Sequence, residues 1–352
     1  MMNTISERNF HKILVRIPNW IGDAVLSTPF LSELHHKFPQ AAISIIGISR
    51  VLPIFLNNPN VHNILEWRAG GFFGFLKNIH PLKNHPFDIA FLLPNSFQSA
   101  LIPFLSRIPL RIGYSNDLRR FLLTHPLKYP PQREIIHQAQ IYLEMLLVLG
   151  RRTLPELKAE LFLAEGEKEN AVQFLKAKGL DIEKKIIGIS PGAAYGPAKR
   201  WPPEKFAEVA DRKLKEGAQV IVLGSREDQA SCDEVSRRMT KPHLNLAGVT
   251  TLRELIAILD QCDELITNDN GSMHIGASLG IKTLSIFGST DPAKTGPIGK
   301  NAIVIKKAVP CSPCFKKTCS FGHYKCLNQI LPEDILKFNL FDIPQESNSS
   351  YV

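Results

Sequence analysis

The sequence predicts an α/β protein made of two parallel-sheet domains, and three observations predict it. Apolar, β-branched runs alternate with helix-spaced segments in both halves, the pattern of parallel strands covered by helices. At 352 residues the chain is too long for one typical domain and suits two. In the second half, two small polar loops each leave a strand and feed a helix start, where open α/β sheets place their ligands. The expected architecture is two Rossmann-like domains face to face, with ligand in the cleft. The domains are expected at residues 1–165 and 166–352.

Composition narrows the partners. With 44% hydrophobic and 21% charged residues the chain has enough apolar material for two cores. A net charge of +9 argues for an acidic partner: nucleic acid, anionic lipid or a phosphorylated substrate. The first apolar run, Ile13 to Val15, is interrupted by Arg16 and is not followed by a small-residue cleavage site, so no signal peptide is expected. No apolar run approaches the roughly 18 residues of a spanning helix. The expected compartment is the cytoplasm.

In chain order, Lys12 to Ile17 reads as a strand, ended by Pro18-Asn19-Trp20-Ile21-Gly22-Asp23, with helical spacing from Ala24 to Phe38. Asp23 has two readings. It is either a helix-start carboxylate favoured by the dipole, or a catalytic base at the carboxyl end of the first strand. The Gly70 to Phe75 loop interleaves glycine with phenylalanine, which suits packing or contact with a lipid or bilayer interface. Asp88 to Leu93 reads as a strand and Ser96 to Ser106 as a helix. Arg107, Arg111, Arg119 and Arg120 follow, either as a solvated face or as planar forks for phosphate or carboxylate on an acceptor. His137 to Leu149 is an amphipathic helix stopped by Gly150.

The second half carries the clearest signal. Strand Ile186 to Ile189 runs into Ser190-Pro191-Gly192-Ala193-Ala194-Tyr195-Gly196-Pro197-Ala198-Lys199-Arg200, and a helix opens at Pro202-Pro203-Glu204. Small residues allow close backbone approach, and Lys199 and Arg200 add positive charge. The stretch lacks Gly-Lys-Ser/Thr, so it is not a Walker loop, and the chain has no GxGxxG fingerprint. After strand Gln219 to Leu223, Glu227 and Asp228 are both candidates to accept from ribose hydroxyls. Asn268-Asp269-Asn270-Gly271-Ser272-Met273-His274 forms the second loop-to-helix junction, and Gly288-Ser289-Thr290-Asp291 brings further hydroxyls. Cys311, Cys314, Cys319 and Cys326, with His323 nearby, have spacing open to a structural zinc or to reduced thiols on a loop. A C-terminal helix is expected after them.

Four stretches together resemble a known family: Asn19 to Ala24, Ser190 to Pro202, Thr267 to His274 and Phe287 to Pro292. They are similar, in the same order and over nearly the whole chain, to the bacterial ADP-heptose:lipopolysaccharide heptosyltransferases of glycosyltransferase family 9, the heptosyltransferase II branch in particular. The resemblance implies a GT-B fold, with the acceptor held mainly by the first domain and the ADP-sugar by the second. It implies inverting transfer of heptose from ADP-heptose to the lipopolysaccharide inner core, with no cofactor and no metal required. Asp23 matches the general base and Lys199 the lysine on donor phosphate. Asp269, Asn270, Gly271, Ser272 and His274 match the pyrophosphate loop, and Asp228 an acidic ribose contact. Ser190, Gly192, Ala193 and Ala194 complete the donor set; Asn19, Trp20, Arg111, Arg119 and Arg120 form the acceptor set. The family loop more often reads Asn-Asp-Ser-Gly, so Asn270 departs from it. The resemblance also implies work at the cytoplasmic face of the inner membrane; a monomer in peripheral contact with that membrane, and no nucleic-acid partner, are expected. Competing readings are a heptosyltransferase I or III type enzyme, a nucleotide-sugar epimerase, and a non-catalytic basic adaptor.

Overall fold

The computed structural model describes residues 5, 8–67, 77, 79, 82–83, 86–116, 118–150 and 153–338. The Gly70 to Phe75 loop falls outside them. The chain divides into two compact units, Met1–Phe162 and Leu163–Val352. Among the described residues each unit holds one six-stranded, all-parallel sheet.

The first sheet comprises β1 (Lys12–Arg16), β2 (Ala42–Gly47), β3 (Asn63–Glu66), β4 (Ile89–Leu92), β5 (Leu110–Tyr114) and β6 (His125–Leu127). Its order is β3-β2-β1-β4-β5-β6. Ile13 to Val15 and Ile89 to Leu92 have no exposed surface, as expected of central strands covered on both faces. The winding direction reverses between β1 and β4, which pair in parallel with Val15 opposite Phe91. The loops leaving these two strands therefore flank the crevice where such sheets bind ligands.

The helical stretch expected from Ala24 to Phe38 is two helices, α1 (Ile21–Leu26) and α2 (Thr28–Lys37). Pro29 has no N–H to offer the Val25 carbonyl, and Thr28 Oγ1 donates to that carbonyl instead, at 2.9 Å. Helix α3 (Phe97–Leu105) starts at Ser96, whose side chain accepts from Ser99 N–H. Helix α4 (Gln138–Glu144) runs into a 3₁₀ turn ending at Gly150.

The second unit opens with α5 (Glu165–Ala177), followed by β7 (Ile186–Ser190), α6 (Pro203–Lys215), β8 (Gln219–Val222), α7 (Gln229–Arg238), β9 (Leu244–Asn245) and α8 (Leu252–Leu259). It continues with β10 (Glu264–Asn268), α9 (Gly271–Ser278), β11 (Lys282–Phe287) and β12 (Ala302–Lys306). The order β12-β11-β10-β7-β8-β9, counted from β7, repeats that of the first unit. Its reversal point lies between β7 and β10, and both sequence-predicted anion loops leave from there. After β12, short helices occupy Lys325–Asn328 and Pro332–Leu336.

Candidate active site

In the second unit, the loops after β7 and β10 are joined by two asparagine side chains. Asn270 caps α9 by accepting from Met273 N–H at 3.2 Å. Its Nδ2 donates to Gly192 O at 2.8 Å and to Ser190 Oγ at 3.2 Å. Asn268, fully buried, donates to Pro191 O at 2.7 Å and accepts from Trp201 N–H at 3.1 Å. Asn270 was expected as a phosphate contact, but its carboxamide is spent on the protein and fixes the shape of the loop. Serine at that position has no amide donor to span this gap. Asn268 was not singled out by the sequence reading, although it closes a wholly buried strand.

The ionic centre is Lys199 with Asp269. Lys199 Nζ lies 2.5 Å from Asp269 Oδ2, and both side chains are largely buried. Thr290 Oγ1 donates to the same oxygen, so the loop after β11 reaches this point too. An ammonium has three N–H donors; one engages Asp269, and the group also stands 4.9 Å from the Tyr195 ring centroid. The remaining donors suit diphosphate oxygens. Ser272 and His274 are buried on α9, whose first-turn amides and dipole favour an anion. Arg200 instead turns back to donate to Ala193 O at 3.2 Å. Helix α6 offers an anion less than the sequence suggested: it opens on Pro203, which has no N–H. Just before it, Trp201 is buried, with Nε1 donating to Ile330 O at 3.1 Å.

Asp228 joins this group through Gly192. A Cβ on Gly192 would stand 2.2 Å from Asp228 Cγ, so glycine is required for the carboxylate to lie over the loop. Asp228 also accepts from Ser225 Oγ at 2.7 Å. Ala193 is buried and Ala194 exposed.

The cysteine segment braces this loop from outside. Ala198 N–H donates to Lys317 O at 3.0 Å, and Tyr195 Oη donates to Phe315 O at 2.7 Å. The N–H groups of Cys314 and Phe315 both reach Ser289 O. Among the described residues no three His, Cys, Asp or Glu side chains form a metal-holding group. All six cysteines are free thiols.

In the first unit, Asp23 is half-buried in the first turn of α1, directly after β1. Burial, followed by the Asp23 charge, pushes the Tyr142 phenol on α4 well above its ordinary value, so the two groups share one locale. Asn19 Oδ1 accepts from Arg16 Nη2 at 2.7 Å. Trp20 is 54% exposed, with the Arg50 guanidinium 5.5 Å from its ring. Arg16 itself, which the sequence reading took only as a break in an apolar run, is buried and stacked 4.4 Å from the Trp67 ring. Burial lowers its pKa to about 10.

The acceptor arginines separate into different environments. Arg119 has no exposed surface. It donates to Tyr114 O at 2.8 Å, Pro94 O at 2.5 Å and Ser99 Oγ at 2.8 Å. An acceptor-facing Arg119 does not fit this packing; the residue ties the loop after β4 to β5. Arg111 is half-buried, donates to Leu122 O at 2.7 Å and to Ile108 O, and stands over the Phe104 ring. Arg120 is exposed.

Comparison with known proteins decides the family. Residues 75–325 match the family model for glycosyltransferase family 9 (heptosyltransferase). The chain belongs to glycosyltransferase family 9. It is 31% identical over 343 residues to lipopolysaccharide heptosyltransferase 2 of Escherichia coli K12, covering 93% of this chain and 97% of that one. A solved E. coli ADP-heptose lps heptosyltransferase II superposes with a TM-score of 0.81 at 30% identity, covering 93% and 96% of the two chains. A family 9 glycosyl transferase from Veillonella parvula gives 0.86 at 28% identity, covering 95% and 97%. The protein is thus a family 9 glycosyltransferase, and its two doubly wound units are those of the GT-B class.

Proposed function

We propose that this glycosyltransferase moves L-glycero-D-manno-heptose from ADP-heptose to the first heptose of the lipopolysaccharide inner core, the heptosyltransferase II reaction. The observation that carries the reading is the placement of opposite chemistries at equivalent points of two sheets. The first unit carries Asp23 after its first strand; the second carries Lys199, Asp269 and the α9 start at its reversal point.

In this mechanism Asp23 takes the proton of an acceptor hydroxyl, and the hydroxyl oxygen bonds to the anomeric carbon from the face opposite the diphosphate. The bond from that carbon to the β-phosphate oxygen breaks, and ADP leaves. Lys199 and the first-turn amides of α9 stabilise the charge that develops on it. One displacement inverts the anomeric configuration. The groups suffice without a cofactor or metal ion. In this reading Asp228 accepts from a ribose hydroxyl, and Asn19, Trp20 and Arg120 contact the acceptor. The protein works as a monomer in peripheral contact with the cytoplasmic face of the inner membrane.

The test is incubation of purified protein with ADP-heptose and truncated lipopolysaccharides ending before or after the first heptose, with and without EDTA. The expected product is one heptose heavier, forms only on the one-heptose acceptor, and survives EDTA. Transfer only to the heptose-free acceptor would reassign the protein to the first step of core assembly. Conversion of the nucleotide-sugar without any acceptor would point to an epimerase.

A further inference from the structure

Several large apolar side chains of the first unit are left on the surface between residues 97 and 121. Phe97 and Phe104 are 39% exposed, Leu105 37%, Phe121 68% and Leu118 87%. Phe97, Leu101, Phe104 and Leu105 recur at the spacing of one helical face along α3. The turn carrying Leu118 and Phe121 continues that face, because the Phe97 and Phe121 rings lie 5.9 Å apart.

This surface is held from beneath. Buried Arg119, between Leu118 and Phe121 in sequence, is bonded to Pro94 O and to Ser99 Oγ at the start of α3. Gly113 on β5 leaves room for it: a Cβ there would stand 3.0 Å from Arg119 Nη2. With Arg119 turned inward, its apolar neighbours are displayed outward. Leu118 has φ 58°, a left-handed conformation that asparagine or glycine adopts more readily. Leucine there is costly for the backbone, and for solvation unless something covers it.

The sequence around the face is mostly basic. From residue 89 to 133 the sequence has Arg107, Arg111, Arg119, Arg120, Lys128 and Arg133 against a single acid, Asp117. Arg107 and Arg120 are exposed, and the Arg111 guanidinium lies 5.3 Å from the Phe104 ring centroid. Phenylalanine and leucine tips accompanied by exposed arginines match a bilayer interface, where apolar tips enter the acyl boundary and guanidiniums meet headgroup phosphates.

We infer that the α3 face and the Leu118–Phe121 turn seat the protein on a bilayer carrying anionic headgroups. This deepens the peripheral-membrane part of the proposed function and does not depend on the transfer reaction. It also has a geometric use. Helix α3 leaves β4, which pairs in parallel with β1, so its first residues lie at the same edge of the sheet as the loop bearing Trp20 and Asp23. A lipid-linked acceptor would present its sugar there.

The test uses the full chain, without donor or acceptor, in cosedimentation with phosphatidylglycerol-containing or pure phosphatidylcholine vesicles. The wild type is expected to bind the anionic vesicles and to be released by salt. Leu118→Asn combined with Phe121→Ser should lower partitioning at least about tenfold, and Arg107→Gln roughly fivefold. Asparagine suits the backbone at position 118, so circular dichroism and turnover of a lipid-free acceptor oligosaccharide should be unchanged and report correct folding. Failure of the wild type to bind, unaltered binding by the double variant, or equal binding to both vesicle types would overturn the proposal. So would a concentration-dependent dimer that the same substitutions dissolve, since a second copy would then be the occupant. Vesicle binding with no turnover on any ADP-sugar would leave this surface standing and remove the proposed reaction instead.

Discussion

Asp269 Oδ2 lies 2.5 Å from the Lys199 ammonium and accepts a second hydrogen bond from Thr290. In the proposed diphosphate site an acid facing the substrate would repel it, and in that reading Asp269 aims the Lys199 cation instead. Lys199→Ala should weaken use of ADP-heptose by roughly a hundredfold in kcat/KM, and unchanged donor kinetics would remove Lys199 from the site. Asp269→Asn should cost roughly tenfold and Thr290→Val less, since each loosens Lys199 without deleting its charge.

Asp23→Asn should abolish transfer while ADP affinity, measured by calorimetry, stays within about twofold; removal of a general base typically costs 10²–10⁴-fold. Substantial turnover by this variant would rule out Asp23 as the base.

Asn270→Ala removes a helix cap and the bridge to Ser190 and Gly192. The expected loss is about 1 kcal/mol for the cap and a comparable amount for the bridging bonds, read in urea melts of the full chain. Asn270→Ser should recover the cap but not the bridge. Equal stability of the two variants would show that the cap contributes nothing, and an Asn270→Ser variant as stable as the wild type would show the same of the bridge.

Gly192→Ala puts a methyl group into the Asp228 carboxylate. The expected outcome is a fold that survives and a KM for ADP-heptose raised about tenfold, as a displaced ribose contact would give. An Asp228→Gly background should mask the effect, because Asp228 Cβ itself would stand 2.6 Å from the new methyl group and only glycine removes it.

Thiol reactivity should sort the cysteines. Hydrogen bonds from the Tyr324 N–H, then from other backbone amides, lower the Cys319 pKa, while burial pushes Cys232 and Cys262 up to about 12. A lowered pKa means more thiolate at a given pH, so Cys319 should alkylate with a midpoint below that of an ordinary thiol. Cys232 and Cys262 should stay unlabelled in the native protein at pH 8, and peptide mapping after iodoacetamide reads both.

Much of the site was legible because its signals are local. A small-residue loop between strand and helix, with Lys199 beside it, states its chemistry in one stretch of sequence, as does Asn268 to His274. What was hidden depends on partners distant in the chain. Arg119 and Arg120 are adjacent and chemically identical, yet one is buried against Pro94 and Ser99 and the other is exposed. Asn270 looks like a ligand contact until its bonds to Ser190 and Gly192 are seen. Arg16 is a similar case, since its burial depends on Trp67 arriving from β3's far end. Strands β5 and β6 escaped notice because Arg111 and Pro126 interrupt runs that pairing alone completes.

The shared strand sequence of the two sheets has a consequence for how such an enzyme can arise. One winding plan, used twice, yields two equivalent crevices, and a handful of side chains decides whether each becomes acidic or basic. Specialisation of the copies thus needs no new architecture, only a divergence of polarity at the mouth of each sheet.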